Sequence, residues 1–218
     1  MTILPPHGHL DSALSLFRKG YIPVPLRKGG KHLDIEAMGY EPVHFETRRK
    51  LLKELAFTSL CFHFSQKPPT ELDVSEWFTG FSGNIGILTG YQGLLVLDFD
   101  NAAHFAGWRR DNEELFGMAP VARTPNGHHV YLKIGTPTVT SSMYAGMRRI
   151  GHVKSLGGYV VASPSVLRGT TYEWVNERSA FEVSPPSIEN LKSLGIDAIS
   201  PLKRCYDSMR KRGFFELQ

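Results

Sequence analysis

A chain of 218 residues with 41% hydrophobic and 11% aromatic side chains can fill a core, and its formal net charge of +4 leans toward an anionic partner. Two cysteines, Cys61 and Cys205, exclude a disulfide framework and a four-thiolate zinc site. No apolar run approaches the roughly 18 residues of a membrane span, and MTILPPHGHLDSALSL has neither a basic n-region nor a cleavable apolar core. The expectation is a folded cytoplasmic chain with no membrane partner.

In chain order, LDSALSLFRKGYIPVPL places Leu10, Ala13, Leu14 and Phe17 at helical spacing, stops at Gly20 and continues as an extended, proline-limited run. It reads as helix, turn, strand. ETRRKLLKELAFTSLCF repeats the helical period, and DVSEWFTGFSG reads as a short helix reaching Gly80. Strand-like segments come next: NIGILTG, GLLVLDFD, HHVYLKI, YVVASPSVL and TYEWV, bounded by Gly, Pro, Asn and Thr. Between the second and third, NAAHFAGWRRDNEELFG reads as one helix with Asn101 as N-cap and Gly117 as stop. SIENLKSLG and PLKRCYDSMRKRG predict two C-terminal helices within 187–213, the latter with a basic face. No repeat or linker divides the chain, so residues 1–218 read as one α/β unit with a core of about 10–175.

Charge is unevenly distributed. From Phe116 through Tyr172 there is no acidic residue, while Arg123, Lys133, Arg148, Arg149, Lys154 and Arg168 all fall inside. One part of the fold is therefore electropositive, which suits a polyanion or an ordinary solvated face.

Just before that stretch, GLLVLDFD ends a buried strand in two carboxylates. Alternate strand residues share a face, so Asp98 and Asp100 project together while Leu97 and Phe99 turn into the core. Such a pair suits a hard divalent cation that bridges carboxylates to phosphates, and equally a strand end or helix cap. In RTPNGHHVYLK, a Pro-Asn-Gly turn precedes a strand whose His129, Tyr131 and Lys133 share one face and whose Val130 and Leu132 share the other. A glycine turn with Arg123 before it and an imidazole after it allows close approach of a triphosphate, or is simply a hairpin with a surface histidine. GHVKSLGGYVVASPSV repeats the arrangement, with His152 and Lys154 on one face and a turn or bulge at Gly157-Gly158.

In order and spacing these segments resemble the N-terminal primase-polymerase domain of bifunctional DNA primase/polymerases, of the archaeo-eukaryotic primase superfamily, over roughly Leu10 to Val175. RKGYIPVPLRKGGK is similar to the family's opening block, GNIGILTGYQGLLVLDFD to its first motif, TPNGHHVYL to its second, and GGYVVASPSV with GTTYEW to its third, with Ser163 where a proline is usual. The resemblance implies an α+β fold in which an N-terminal α/β module packs on an RRM-like antiparallel sheet, with the active cleft between them. It implies template-directed nucleotidyl transfer from NTP or dNTP substrates by two divalent ions, Mg²⁺ or Mn²⁺, on single-stranded or primed template DNA, in replication of a plasmid, phage or mobile element and alongside a replicative helicase.

By the resemblance, Asp98 and Asp100 hold metal, His129 binds the incoming triphosphate, Arg123 or Lys154 neutralises phosphate charge, and Ser165 is a further nucleotide-binding residue. Arg148 and Arg149 are the expected DNA contacts. One departure stands out: the family's third carboxylate falls on His152, and Glu173 is the nearest later acid. His152 is then either a metal ligand completing a catalytic set with Asp98 and Asp100, or a hydrogen-bond partner of a phosphate or of Asp98. Two other readings of the chain remain open, a primase-like DNA- and nucleotide-binding protein with weakened catalysis and a metal-dependent phosphohydrolase or nuclease.

Overall fold

The computed structural model describes residues 8–39, 60, 63–64, 66–136, 138–175, 179–180 and 182–200. Most of the expected helix in ETRRKLLKELAFTSLCF, and all of the one in PLKRCYDSMRKRG, lie outside the described residues. The first described helix, α1 (His9–Arg18), buries Ser12, Ala13 and Leu16. It ends where Gly20 adopts a positive φ of 84°, which lets the chain reverse into β1 (Pro23–Leu26). Helix α2 (Glu71–Phe78) starts at Thr70, whose hydroxyl accepts from Asp73 N at 3.2 Å while Asp73 Oδ2 accepts from Thr70 N at 2.6 Å. Val74, Trp77 and Phe78 form its buried stripe, and each such side chain stabilises the fold by roughly 1.5–3 kcal/mol on burial. An exposed Arg18–Glu71 ion pair joins the two helices.

Two sheets organise the rest. A three-stranded antiparallel sheet has the order β1, β2 (Asn84–Leu88), β8 (Tyr159–Val161). The larger, eight-stranded sheet is built around β3 (Leu94–Phe99), with β5 (His128–Ile134) on one side and β7 (Arg148–Lys154) on the other, both antiparallel to it. Beyond β5 lie β4 (Val121–Arg123) and β11 (Glu173–Trp174), and beyond β7 lie β6 (Ser141–Ala145) and β13 (Asp197–Ile199). A short hairpin pairs β9 (Val166–Leu167) with β10 (Thr170–Thr171). The molecule is thus mixed α/β with a large antiparallel sheet, as the resemblance implies.

The alternation of β3 is divided between two apolar clusters. Leu94 and Val96 pack with Tyr131, Ala122, α1, α2 and the small sheet, whereas Leu95, Leu97 and Phe99 pack with helix α3 (Ala102–Asp111) on the other face. Both faces of the central strands are therefore largely core, and the expected chemical face of β5 is interrupted at Tyr131, which is fully buried.

Two of these elements differ from expectation. The helix read across 101–117 is two, α3 and α4 (Glu113–Met118), broken at Asn112, whose amide donates to Trp108 O at 2.9 Å and competes with the helical ladder. Asn101 does cap α3, accepting from Ala103 N at 2.7 Å, but Gly117 lies inside α4. SIENLKSLG is not a helix: Ser187–Ile188 forms β12, parallel to β5, and Lys192–Leu194 a single 3₁₀ turn. Pairing with Lys133 and Ile134 and packing of Ile188, Leu191 and Leu194 on the second cluster outweigh the local helical period.

Candidate metal centre

The register of three strands assembles the site. Asp98 pairs with His129 of β5 on one side and with His152 of β7 on the other, and Val96, two residues back, pairs with Tyr131 and Lys154. All these positions share the parity of the first cluster, so the polar side chains meet where that apolar face runs out. Two glycines allow the approach. A Cβ on Gly127 would stand 1.9 Å from Phe99 O, and one on Gly151 would stand 2.0 Å from Asp98 O. The space that Gly127 leaves is therefore filled by β3 itself and not reserved for a triphosphate.

Asp98 is largely enclosed. Its Oδ1 lies 3.3 Å from His129 Nε2 and its Oδ2 3.9 Å from Lys154 Nζ. Burial pushes its carboxyl up, but the facing His129, Lys154 and His152 outweigh that and hold it far below the usual carboxylate range. It is a fixed negative charge. Behind it, His129 is 5% exposed and packs against the rings of Tyr131 and Tyr172. Burial, then the Asp98 charge, pushes the Tyr172 hydroxyl up to about 12, so it stays neutral.

Asp100 stands one residue past β3 and is about half exposed. Its Oδ1 lies 3.8 Å from His152 Nδ1 and its Oδ2 3.5 Å from Arg149 Nη2. Arg149 Nη2 also meets His152 Nε2 at 2.8 Å. This position depends on a β-bulge: Gly151 pairs with Met143 and Arg149 with Tyr144, so Ile150 is an extra residue in β7. Without the bulge, Arg148 would share a face with His152. With it, Ile150 and Val153 both enter the second cluster, and Arg149 and His152 both reach Asp100.

Ligand atoms of Asp98, Asp100 and His152 all lie within 4.8 Å of one another. The set fits a divalent ion: two carboxylates give hard oxygens, and the buried Nδ1 of His152 lacks a hydrogen-bond partner. Lys154 lies beside the set, its Nζ 3.9 Å from Asp98 Oδ2.

Other expectations need correction. Ser165 does not face the site; it is fully buried, its Oγ accepting from Ile85 N at 2.8 Å and donating to Ile85 O at 3.1 Å, so it ties the end of the small sheet. Arg123 shares the parity of Val121 and forms an exposed ion pair with its register partner Glu173, so both stand on the face of the sheet opposite the centre. Its neighbour His128 stacks on Phe105 of α3, ring centroids 3.9 Å apart. The expected arginine pair divides: Arg149 turns into the centre and only Arg148 is left outside, beside a fully exposed Met147 at the β6–β7 tip. Gly151 inside an otherwise strand-like run is the sequence signal for the bulge.

Residues 13–188 match the family described as bifunctional DNA primase/polymerase, N-terminal. The chain belongs to that family. No curated protein matches it. The primase/polymerase match spans the small sheet, the central strands and all three residues of the centre. Among the described residues, no helix is long and apolar enough to cross a membrane.

Proposed function

We propose that this primase/polymerase chain carries out template-directed nucleotidyl transfer, with Asp98 and Asp100 as the charge-bearing ligands of its divalent centre. The observation that carries the reading is the register of β3: it sets Asp98 between His129 and His152, with Asp100 alongside, in a chain of this family.

Each residue has a distinct task. Asp98, held charged and oriented by His129, is the rigid ligand. Asp100, more exposed, is the ligand that reaches substrate. Lys154 neutralises phosphate charge close to Asp98, and Arg148 outside the centre contacts the template backbone. His129 acts through Asp98, because its Nε2 is committed to the carboxylate and its ring is buried. Asp98, Asp100 and His152 would hold the divalent ions of a two-ion site, which would supply Lewis-acid stabilisation of charge in phosphoryl transfer. His152 offers nitrogen in place of a third oxygen, which favours Mn²⁺ over Mg²⁺.

The test is incorporation of labelled NTP or dNTP on a primed template with each metal. Incorporation greater with Mn²⁺, and lost in Asp100→Ala, supports the reading. Release of nucleotides from DNA would establish a nuclease instead. The second reading, a primase-like binding protein, is favoured by the histidine in the third ligand place; template binding with no incorporation under either metal would establish it.

A further inference from the structure

Arg149 and a divalent ion compete for the same atoms. A guanidinium has donors only, so the 2.8 Å contact between Arg149 Nη2 and His152 Nε2 requires that nitrogen to accept. In a neutral imidazole the lone pair is then on Nε2 and the proton on Nδ1. Nδ1 is the nitrogen that approaches Asp100, at 3.8 Å. A protonated nitrogen cannot ligate, so His152 cannot join Asp98 and Asp100 through Nδ1 while the contact stands. Ligation through Nε2 would displace Arg149 directly. By either nitrogen, the three-residue set forms only when Arg149 leaves.

The same guanidinium also lies 3.5 Å from Asp100 Oδ2. With Lys154 beside Asp98, the two carboxylates already face two cationic side chains. A divalent ion entering this arrangement meets no net negative charge. Arg149 is able to move, since its side chain is 46% exposed and the bulge holds it at the rim of the sheet. A triphosphate is the strongest competing partner such a group meets, because it offers several anionic oxygens to a forked donor.

We infer that Arg149 is a placeholder cation of the centre: it holds Asp100 and His152 until the phosphates of an incoming nucleotide draw it off, so that the complete divalent site forms only with nucleotide bound. The nature of the incoming polyphosphate rests on the nucleotidyl-transfer reading; the competition at Asp100 and His152 does not. The device couples two binding events in one residue, and it keeps the centre from holding metal without substrate.

Two measurements on the whole chain test it, neither of which needs turnover. Mn²⁺ titrations followed by electron paramagnetic resonance, without nucleotide, should show Arg149→Ala binding roughly tenfold tighter than wild type, Arg148→Ala unchanged, and Arg149→Ala combined with His152→Ala losing much of the gain. In chelator, the ¹⁵N resonances of the His152 ring should report Nδ1–H with a hydrogen-bonded Nε2. Adding a non-hydrolysable nucleoside triphosphate should then shift Nε2 toward its value in Arg149→Ala. Equal Mn²⁺ affinity in wild type and Arg149→Ala would overturn the competition, and a bound nucleotide that leaves the His152 signals unmoved would overturn the handover. If both measurements come out as expected but labelled nucleotide is never incorporated, the catalytic reading fails and the coupling stands.

Discussion

Strand β3 has two neighbours of opposite character. On the β5 side the ladder is regular from Leu94–Lys133 to Phe99–His128, and the polar residue it delivers, His129, is buried against Asp98 with two tyrosine rings behind it. On the β7 side the ladder with β3 is regular from Val96–Lys154 to Phe99–Gly151, but just beyond it β7 carries an extra residue against β6, and the groups it delivers, Arg149 and His152, are a third to a half exposed. The first side fixes a charge; the second leaves groups that can exchange partners. A regular antiparallel ladder repeats side-chain direction every second residue, so its products are held by packing along the whole strand. A bulge breaks that repeat at one point and re-aims the side chains beyond it, which is how partly exposed groups come to flank an enclosed one.

The comparison breaks most sharply at the two carboxylates. Asp98→Ala and Asp100→Ala should each weaken Mn²⁺ binding and nucleotide incorporation by about a hundredfold or more, since each removes a charged ligand. Only Asp98→Ala should also destabilise the protein, by about 1–3 kcal/mol, because it leaves buried His129 without its partner. Isothermal titration paired with urea unfolding reads both effects. Equal stability losses would mean that the two sides of β3 are not different in rigidity.

Gly151→Ala is the next largest. Its Cβ would meet Asp98 O at 2.0 Å, a backbone atom that cannot step aside, so β7 must shift off β3. A cost of about 3 kcal/mol is expected, with loss of the Arg149–His152 contact visible in the histidine ring resonances. A change within about 0.5 kcal/mol, the range of a neutral surface substitution, would show that the bulged ladder yields more easily than its geometry implies.

The same contrast explains how much is legible in the sequence. Wherever the period of two holds, reading residues off alternation succeeds: Asp98 stands with Asp100, His152 with Lys154, and Leu97 and Phe99 turn inward. Alternation carries no information about an inserted residue: uninterrupted, it would put Arg148 on the face of His152 and Arg149 on that of Val153, and only the bulge brings Arg149 to the centre. Nor does it show how a strand is covered, and Tyr131 is buried for that reason. Arg123 and Ser165 rest on motif position alone. Motif order says which segments are neighbours, but Arg123 sits at the opposite parity and Ser165 is consumed by the backbone of Ile85. Short segments such as Ser187–Ile188 take their structure from the strand they join, which no local pattern records.

Arg148 offers a smaller test of the division at the bulge. It is exposed and outside the centre, so Arg148→Ala should weaken single-stranded DNA binding a few-fold at every sequence and lower the slope of log affinity against log salt by about 1. Arg149→Ala should change that slope less, because its charge is matched by Asp100 in the free protein. Fluorescence anisotropy across a salt series distinguishes the two. Identical slope changes would return Arg149 to the outer surface.

The smallest effect concerns acid. Burial lowers the His152 pKa from its ordinary 6.5, with Lys154 and Arg149 adding to the shift and Asp100 and Asp98 opposing it. A histidine whose folded value lies below its unfolded one binds fewer protons when folded, so its contribution to stability is complete above 6.5 and is lost as pH falls through the lowered value. Asp98 has the same sign in a different window: its contribution is complete above the unfolded carboxylate value near 3.9 and disappears only as pH falls through its much lower folded value. Mn²⁺ binding should therefore keep its strength through pH 6.5 and decline below it, as the ring begins to protonate. His152→Asp should move that decline into the carboxylate range, while Arg149→Ala, by removing a nearby positive charge, should move it upward by a fraction of a unit. His128 also has a lowered pKa, from burial and then Arg123, but it stacks on Phe105 on the far face of the sheet and should affect the stability profile without touching the metal profile. A wild-type decline centred above 6.5, or one unchanged in His152→Asp, would show that the proton limiting metal binding is not on the bulged side of β3.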